Sequence, residues 1–234
     1  MSKKVAILQS NYIPWKGYFD IIADVDQFIL YDEVQYTKRD WRNRNIIKTS
    51  RGPAWLTIPI LTKSNFYQKI SQTKFDGFLW KKKHWNSLRV NYKKSKYFDE
   101  ISEMLYDFFH SNNSEMLSEI NFSLITIICE YLNIKTKISS CTEFSLEKEK
   151  NQRLISICEQ TEADIYLSGY SAKEYIDMQS FTDSGIKIEW FDYEGYPKYE
   201  QLWGKFIHEV TILDLLFNCG KKSPSFMKKV TVLK

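Results

Sequence analysis

Hydrophobic and polar positions along the chain alternate between short apolar runs and stretches with a helical period. Apolar runs at residues 5–8, 27–31, 165–167 and 186–190 are bounded by turn-forming residues, as buried strands are. Residues 18–25 separate the first two runs with apolar positions on one helical side. This strand, helix, strand order predicts an α/β fold with a Rossmann-like parallel sheet flanked by helices.

The middle of the chain predicts a hairpin followed by a helical insertion. Residues 46–48 and 54–60 flank a turn and predict paired strands, and residues 68–73 predict another short strand. Amphipathic periodicity then predicts a helical region at residues 75–132 within the α/β domain. Its helices are predicted at 75–96, 99–110 and 116–132.

The last part of the chain returns to alternating strands and helices. The elements predicted there are a strand at 135–139, helices at 151–161 and 207–217, and a short helix beginning at 171. Gly220 is the expected stop of the last helix. We therefore expect one domain over residues 1–220, followed by a basic and loosely held tail at 221–234.

Composition narrows the class of protein. With 234 residues and 43% hydrophobic content the chain can bury a large core, and its 16% aromatic content suits a core plus a ligand cleft. A net charge of +4 is too mild to predict a nucleic-acid partner. No CxxC spacing, signal-peptide pattern or membrane-length apolar stretch occurs, which predicts a soluble, cytoplasmic protein with reduced thiols.

Polar side chains are densest in residues 9–48, where two segments follow the first two predicted strands. Because ligands bind beyond the carboxyl ends of parallel strands, both segments are expected to line one crevice. The alternative is a turn whose side chains satisfy one another. The candidate substrate-binding residues in these segments are Gln9, Asn11, Tyr12, Trp15, Gln35 and Tyr36.

A cationic stretch follows and predicts an anion site. Arg42, Asn43 and Arg44 alternate charge and amide, so an extended backbone would place both arginines on one face. Arginine binds phosphate and carboxylate with two parallel hydrogen bonds. The alternative is a solvated loop, the usual fate of a charge run.

Two residues are candidates for the catalytic base. His84 shares a predicted helix face with Trp80, and Asp32 follows the second buried strand. A structural histidine and a capping or ion-paired carboxylate are the alternatives. Ser168, Gly169 and Asp214 are the distant residues expected to face the same crevice. The histidine spacing predicts no metal site.

The order of motifs along the chain resembles the WbqC-like family, from Val5 to Gly220. Ser10 departs from the proline expected at that position in the family, which changes the rigidity of the first turn but removes no reactive group. The motifs that carry the resemblance are AILQSNYIPWKGYFD from residue 6, YDEVQY from 31, NRN from 43, WLTIP from 55, YLSG from 166 and ILDLLFNCG from 212.

The resemblance implies an enzyme of bacterial O-antigen and lipopolysaccharide biosynthesis, an N-acyltransferase or an ATP-dependent amide ligase. It would transfer glycine or a similar acyl unit to a nucleotide-linked amino sugar. An activated acyl donor requires only a base, His84 or Asp32, and an oxyanion donor. A free acid requires ATP, with magnesium near Asp32.

Two other classes of protein remain as alternatives. The first is a non-catalytic nucleotide- or nucleic-acid-binding module that uses the basic helix at 81–94, and its affinity would fall steeply with salt. The second is a glycosyltransferase, which would need a carboxylate–metal motif such as DxD at its active site.

Overall fold

A five-stranded parallel sheet lies at the centre of the structure, a computed structural model that describes residues 2–63 and 65–231. The strands of the chain are β1 Lys4–Leu8, β2 Gln27–Leu30, β3 Arg44–Thr49, β4 Gly52–Thr57, β5 Lys137–Ser140, β6 Ile165–Gly169 and β7 Lys187–Phe191. The α-helices are α1 Lys16–Ala23, α2 Leu79–Tyr92, α3 Phe98–Ser111, α4 Leu117–Tyr131, α5 Lys150–Gln160, α6 Met178–Asp183 and α7 Ile212–Cys219.

The strand order of the parallel sheet is β5-β2-β1-β6-β7. β1 pairs with β2 on one side and with β6 on the other. The chain runs outward from β1 through β2 to β5, then crosses back to β6 and continues to β7. The direction of winding therefore reverses between β1 and β6, which is where open α/β sheets bind ligands. The predicted Rossmann-like α/β fold is confirmed.

Both faces of the sheet are covered, which explains why its strands are continuous apolar runs. On one face, Val5 and Ile7 of β1 pack with Ile29 and with helices α5 and α6. On the other face, Ala6 and Phe28 pack with α1, α4 and α7. Alternate side chains of a strand point to opposite faces, so two hydrophobic cores form from the same short runs.

The helical region lies between the antiparallel β3–β4 hairpin and β5, and consists of α2, α3 and α4. The helix predicted to begin at residue 75 begins instead at Leu79, because Phe75 bridges Ile60 and Gly77 has a φ of 65°. Within the described residues, no helix is long and apolar enough to cross a lipid bilayer.

The strand predicted at residues 68–73 was wrong. This segment forms a single 3₁₀ turn at Ile70–Gln72, with Gln35 and Lys69 making one isolated bridge. Ile70 is the one apolar residue of the segment and it is fully buried. A single apolar position cannot supply the alternating pattern that stabilises a strand face.

The helix predicted to begin at residue 207 begins at Ile212. The Thr211 side chain caps it by accepting a hydrogen bond from the Leu213 N–H. Residues 192–211 form no helix or strand and cover the carboxyl end of the sheet with aromatic side chains. The predicted glycine stop is present, since Gly220 has a φ of 52°.

The segment that follows α7 is packed on the protein, contrary to the loosely held tail expected there. It forms a 3₁₀ helix at Gly220–Phe226, and Pro224, Met227 and Val230 are buried. The fully buried carboxylate of Asp20 accepts hydrogen bonds from three successive backbone N–H groups of residues 228–230. Residues 232–234 of the predicted tail lie outside the described part of the chain.

Candidate active site

A cleft opens at the carboxyl ends of β1, β2 and β6 and consists of two adjoining chambers. Asn11 and Tyr193 line both chambers and form their common boundary. The cationic chamber has a volume of about 710 Å³ and lies over the switch point between β1 and β6. The aromatic chamber has a volume of about 630 Å³ and lies between the first turn and residues 193–209.

The cationic chamber is named for Arg42, Lys148, Lys150 and Arg153, which all line it. Arg153 of α5 is held in place because it donates from Nε to the Glu147 carbonyl at 2.5 Å and from Nη2 to the Lys148 carbonyl at 3.2 Å. Among the described residues, no carboxylate lies within ion-pairing distance of Lys148 or Lys150. These cations are therefore available to an anionic ligand.

Among the described residues, Glu33 is the one carboxylate that lines the cationic chamber, and its charge is already neutralised. Glu33 accepts from Lys69 Nζ at 2.6 Å and from Ser71 Oγ at 2.5 Å. The N-terminal end of α5 also borders the chamber at Lys150, and there the Glu149 carboxylate caps the helix by accepting from the Gln152 N–H at 2.7 Å. The field in this chamber is accordingly positive.

Arg42 sets the orientation of Asn11 at the boundary between the chambers. A guanidinium group only donates, so the Asn11 atom that Arg42 Nη1 contacts must be the amide oxygen. Arg42 also donates to the Ser10 carbonyl at 3.4 Å. The Asn11 amide nitrogen is thereby left as a hydrogen-bond donor, and no other described residue uses it.

The aromatic chamber is named for Trp15, Trp41, Tyr193 and Tyr196, which line it. The Trp15 ring lies with its centroid 5.4 Å from those of both Tyr193 and Tyr196. Gly17 makes this position possible, since a Cβ there would collide with the indole ring. Aromatic faces of this kind stack against the apolar face of a ring-shaped ligand.

His208 and Glu209 form the polar side of the aromatic chamber. Partial burial and the positive charges of Lys16 and Lys198 lower the pKa of His208 below its usual value, although Glu209 opposes them. His208 is therefore mainly neutral at pH 7. Sequence reasoning missed this residue because it placed residue 208 inside a helix. The available signal was the run of aromatic and glycine residues before it, which is atypical of a helix.

Several of the predicted site residues line the cleft. The Ser168 hydroxyl donates to Tyr166 Oη at 3.3 Å, and Gly169 allows Tyr193 to approach closely, since a Cβ there would lie 3.3 Å from the phenol oxygen. Gln35 donates from its amide to the Phe66 carbonyl at 3.2 Å. The predicted residues that line either chamber are Gln9, Asn11, Trp15, Gln35, Arg42, Ser168 and Gly169.

The predicted residues His84 and Tyr12 are buried behind the cleft and line neither chamber. His84 Nε2 faces the Thr57 carbonyl at 3.2 Å, so this nitrogen carries the proton. Nδ1 then accepts from the Tyr12 hydroxyl at 2.8 Å. Burial lowers the pKa of His84 to about 4. Because both ring nitrogens are occupied inside the core, the catalytic role predicted for His84 has no structural support.

The predicted base Asp32 lies beneath the first turn rather than in the cleft. Its Oδ1 accepts from the Ser10 backbone N–H at 2.8 Å, and burial raises its pKa above the usual value. This contact fixes the turn that presents Gln9 and Asn11. Tyr36 is also buried, and its backbone N–H donates to the Gln68 carbonyl at 2.9 Å. Neither residue lines a chamber.

The predicted anion row of residues 42–44 is divided by the structure. Arg42 lines the cationic chamber, whereas Arg44 stacks over Trp55 with its guanidinium carbon 4.1 Å from the ring centroid. Asn43 is buried and donates to the Ile58 carbonyl at 2.7 Å. β3 begins only at Arg44, so the extended backbone that would align both arginines is not present at Arg42.

Asp214, predicted to face the cleft, is fully buried in the core. Its two oxygens accept from Tyr92 Oη at 2.9 Å and from Tyr199 Oη at 2.8 Å. Burial raises the pKa of Asp214 above its usual value. This arrangement leaves no free carboxylate oxygen for a ligand.

The donor set does not fit the magnesium site considered for an ATP-dependent reaction. Asp32 holds the first turn, and Glu33 is bound by Lys69 and Ser71. In residues 2–63 and 65–231, no group of three or more histidine, cysteine, aspartate or glutamate side chains is placed to hold a metal ion.

A comparison with known protein families identifies a matching family. The sequence model of the WbqC-like protein family matches residues 9–226. A protein of Mycobacterium tuberculosis described as "Uncharacterized protein Rv1507c" is 49% identical over 226 residues, which cover 97% of this chain and 98% of that protein. No solved structure matches significantly.

Proposed function

This chain belongs to the WbqC-like protein family, and from that premise we propose that it is an N-acyltransferase acting on a nucleotide-linked amino sugar. It transfers glycine or a similar acyl unit during surface-polysaccharide biosynthesis. The observation that carries the proposal is that a cationic and an aromatic chamber meet in one cleft. A nucleotide-linked sugar has matching parts, a diphosphate and a ring whose apolar face stacks on aromatics.

The diphosphate lies in the cationic chamber of this complex. Arg153 and Arg42 offer fixed guanidinium donors, and Lys150 adds a mobile charge at the N-terminal end of α5. Tyr31 and Tyr175, which also line the chamber, offer faces on which the nucleobase stacks. The volume of about 710 Å³ is ample for the phosphates and the base together.

The amino sugar crosses the Asn11–Tyr193 boundary and enters the aromatic chamber. Trp15 and Trp41 hold the sugar ring there. The Asn11 amide nitrogen, oriented by Arg42, donates a hydrogen bond to the acyl carbonyl oxygen as negative charge develops on it. The sugar amine attacks the acyl carbon, and the acyl donor loses its leaving group.

The direct test is mass spectrometry of reaction mixtures that contain nucleotide-linked amino sugars. One series supplies acyl thioesters, and a second supplies glycine with ATP and magnesium. The expected product is the N-acylated nucleotide sugar in one of the two series, which identifies the donor. Binding of the nucleotide sugar without any product would reduce the function to that of a binding module. The absence of binding would refute the proposal altogether.

Lys150→Gln tests the assignment of the diphosphate to the cationic chamber. We expect the dissociation constant of the nucleotide amino sugar to rise about tenfold, since one charge-assisted contact to phosphate is lost. Isothermal titration calorimetry at fixed salt measures the change. Lys82→Gln on the exposed face of α2 is the matched control. Equal effects of the two variants would place the phosphates elsewhere.

A further inference from the structure

We propose that His208 is the catalytic base of this transfer and takes the proton from the attacking amine in the aromatic chamber. The inference rests on the proposed function and deepens it. His208 lines the chamber together with Trp15 and Trp41, on which the sugar ring is placed, and with Asn11, the oxyanion donor. A base, a ring-stacking surface and an oxyanion donor therefore surround one space.

Within the described part of the chain, His208 is the histidine whose two ring nitrogens both lack a hydrogen-bond partner. Its ring lies edge-on to Phe206 with centroids 4.5 Å apart, and neither ring nitrogen contacts a described hydrogen-bond partner. His84 is closed off in the core by Tyr12 and Thr57. His110 is bound at 2.8 Å to the Tyr106 carbonyl on α3, and it lines neither chamber of the cleft.

The charges that face His208 keep its imidazole in the neutral form that a base requires. Lys16 of α1 and Lys198 act against protonation, and Glu209 acts in favour of it. Glu194 also lines the chamber. Lys16 lies behind Tyr196, with Nζ 4.8 Å from the ring centroid, and donates to the Pro197 carbonyl at 3.1 Å. Its position is therefore fixed relative to the chamber wall.

The reaction uses an activated acyl donor, either a thioester or an acyl adenylate. The neutral sugar amine forms the new C–N bond, and the carbonyl π electrons move to the oxygen held by Asn11. His208 accepts the N–H proton at a ring nitrogen. The carbonyl re-forms as the bond to the leaving group breaks, and thiolate or adenylate departs with that electron pair. The imidazolium then returns its proton to solvent.

Kinetics test the base directly. His208→Gln is expected to lower kcat about a hundredfold with little change in KM, and to remove the acidic limb of the pH–rate profile. Added imidazole is expected to restore part of the activity of His208→Ala, which a merely structural side chain would not allow. His110→Gln is the matched control and should retain full activity. A His208→Gln enzyme with wild-type kcat and pH profile would overturn the assignment.

A footprinting experiment tests the position of His208 without turnover. Diethylpyrocarbonate is expected to modify His208 in the free protein, and a bound nucleotide amino sugar should protect it while His110 stays reactive. Protection that is absent although calorimetry shows binding would overturn the inference about His208 and leave the proposed function intact. Failure of every nucleotide amino sugar to bind would overturn both. Circular dichroism confirms that each variant is folded.

Discussion

The cleft and the core behind it both contain polar residues, but their polar atoms are in two different states. In the cleft, Lys150 and the Asn11 amide nitrogen have no partner among the described residues. In the core, His84 and Asp214 use both of their polar atoms on neighbouring side chains or backbone. At these four residues, the unbonded polar atoms face the cleft and the bonded ones hold the fold together.

Substitutions in the two regions should therefore have different effects. Changes in the core should alter the free energy of unfolding and leave ligand affinity unchanged in the folded protein. Changes in the cleft should do the reverse. Three substitutions at different depths test this expectation. The change expected in the free energy of unfolding decreases from the core outward.

Asp214→Ala should have the largest effect. It leaves the Tyr92 and Tyr199 hydroxyls buried without their acceptor, and we expect a loss of about 4 kcal/mol in the free energy of unfolding. Denaturant unfolding measures the loss. Asp107→Ala on the exposed face of α3 is the control and should change little. A loss below about 1 kcal/mol would show that Asp214 is not a structural carboxylate.

His84 should make stability depend on pH in a defined window. The folded pKa is about 4 and the reference value is 6.5, so between these values the unfolded chain binds a proton that the folded chain does not. The free energy of unfolding should therefore fall by about 3 kcal/mol as the pH drops from 6.5 to about 4. Above pH 6.5, titration of His84 should not change it.

The measurement compares wild type with His84→Gln by denaturant unfolding at several pH values. The variant should be the less stable protein at pH 7, and the gap should narrow toward pH 4. His110→Gln, on the exposed end of α3, should retain the wild-type pH dependence. Parallel pH curves for wild type and His84→Gln would mean that His84 titrates normally.

Gly17→Ala should have the smallest effect on stability and act on the aromatic chamber instead. The added Cβ displaces the Trp15 ring, so we expect the nucleotide amino sugar to bind about tenfold more weakly, the loss of one stacking contact. Calorimetry measures the affinity. In a Trp15→Ala background the Gly17 change should add almost nothing, because its target is already absent. Additive effects would contradict this mechanism.

Local pattern allowed much of the fold to be predicted. The short apolar runs marked β1, β2, β6 and β7 to within two residues, and the strand–helix–strand order identified the parallel sheet. The same reasoning placed Gln9, Ser168 and Gly169 in one crevice, because the carboxyl ends of adjacent parallel strands meet at one edge. Residues 192–211 form no helix or strand, so their path over the cleft could not be predicted from a period.

The sequence by itself determined the periodicity of the elements, the parallel sheet and the edge at which the cleft opens, since these depend on neighbours along the chain. Tertiary structure alone decided which polar residues reach the cleft. His84 is bonded to Tyr12, 72 positions away, and Asp214 to Tyr92, 122 positions away. No local pattern encodes such partners. Burial and hydrogen bonding across the fold therefore placed six of the fourteen predicted site residues in the interior, away from the cleft, and brought His208 to the cleft.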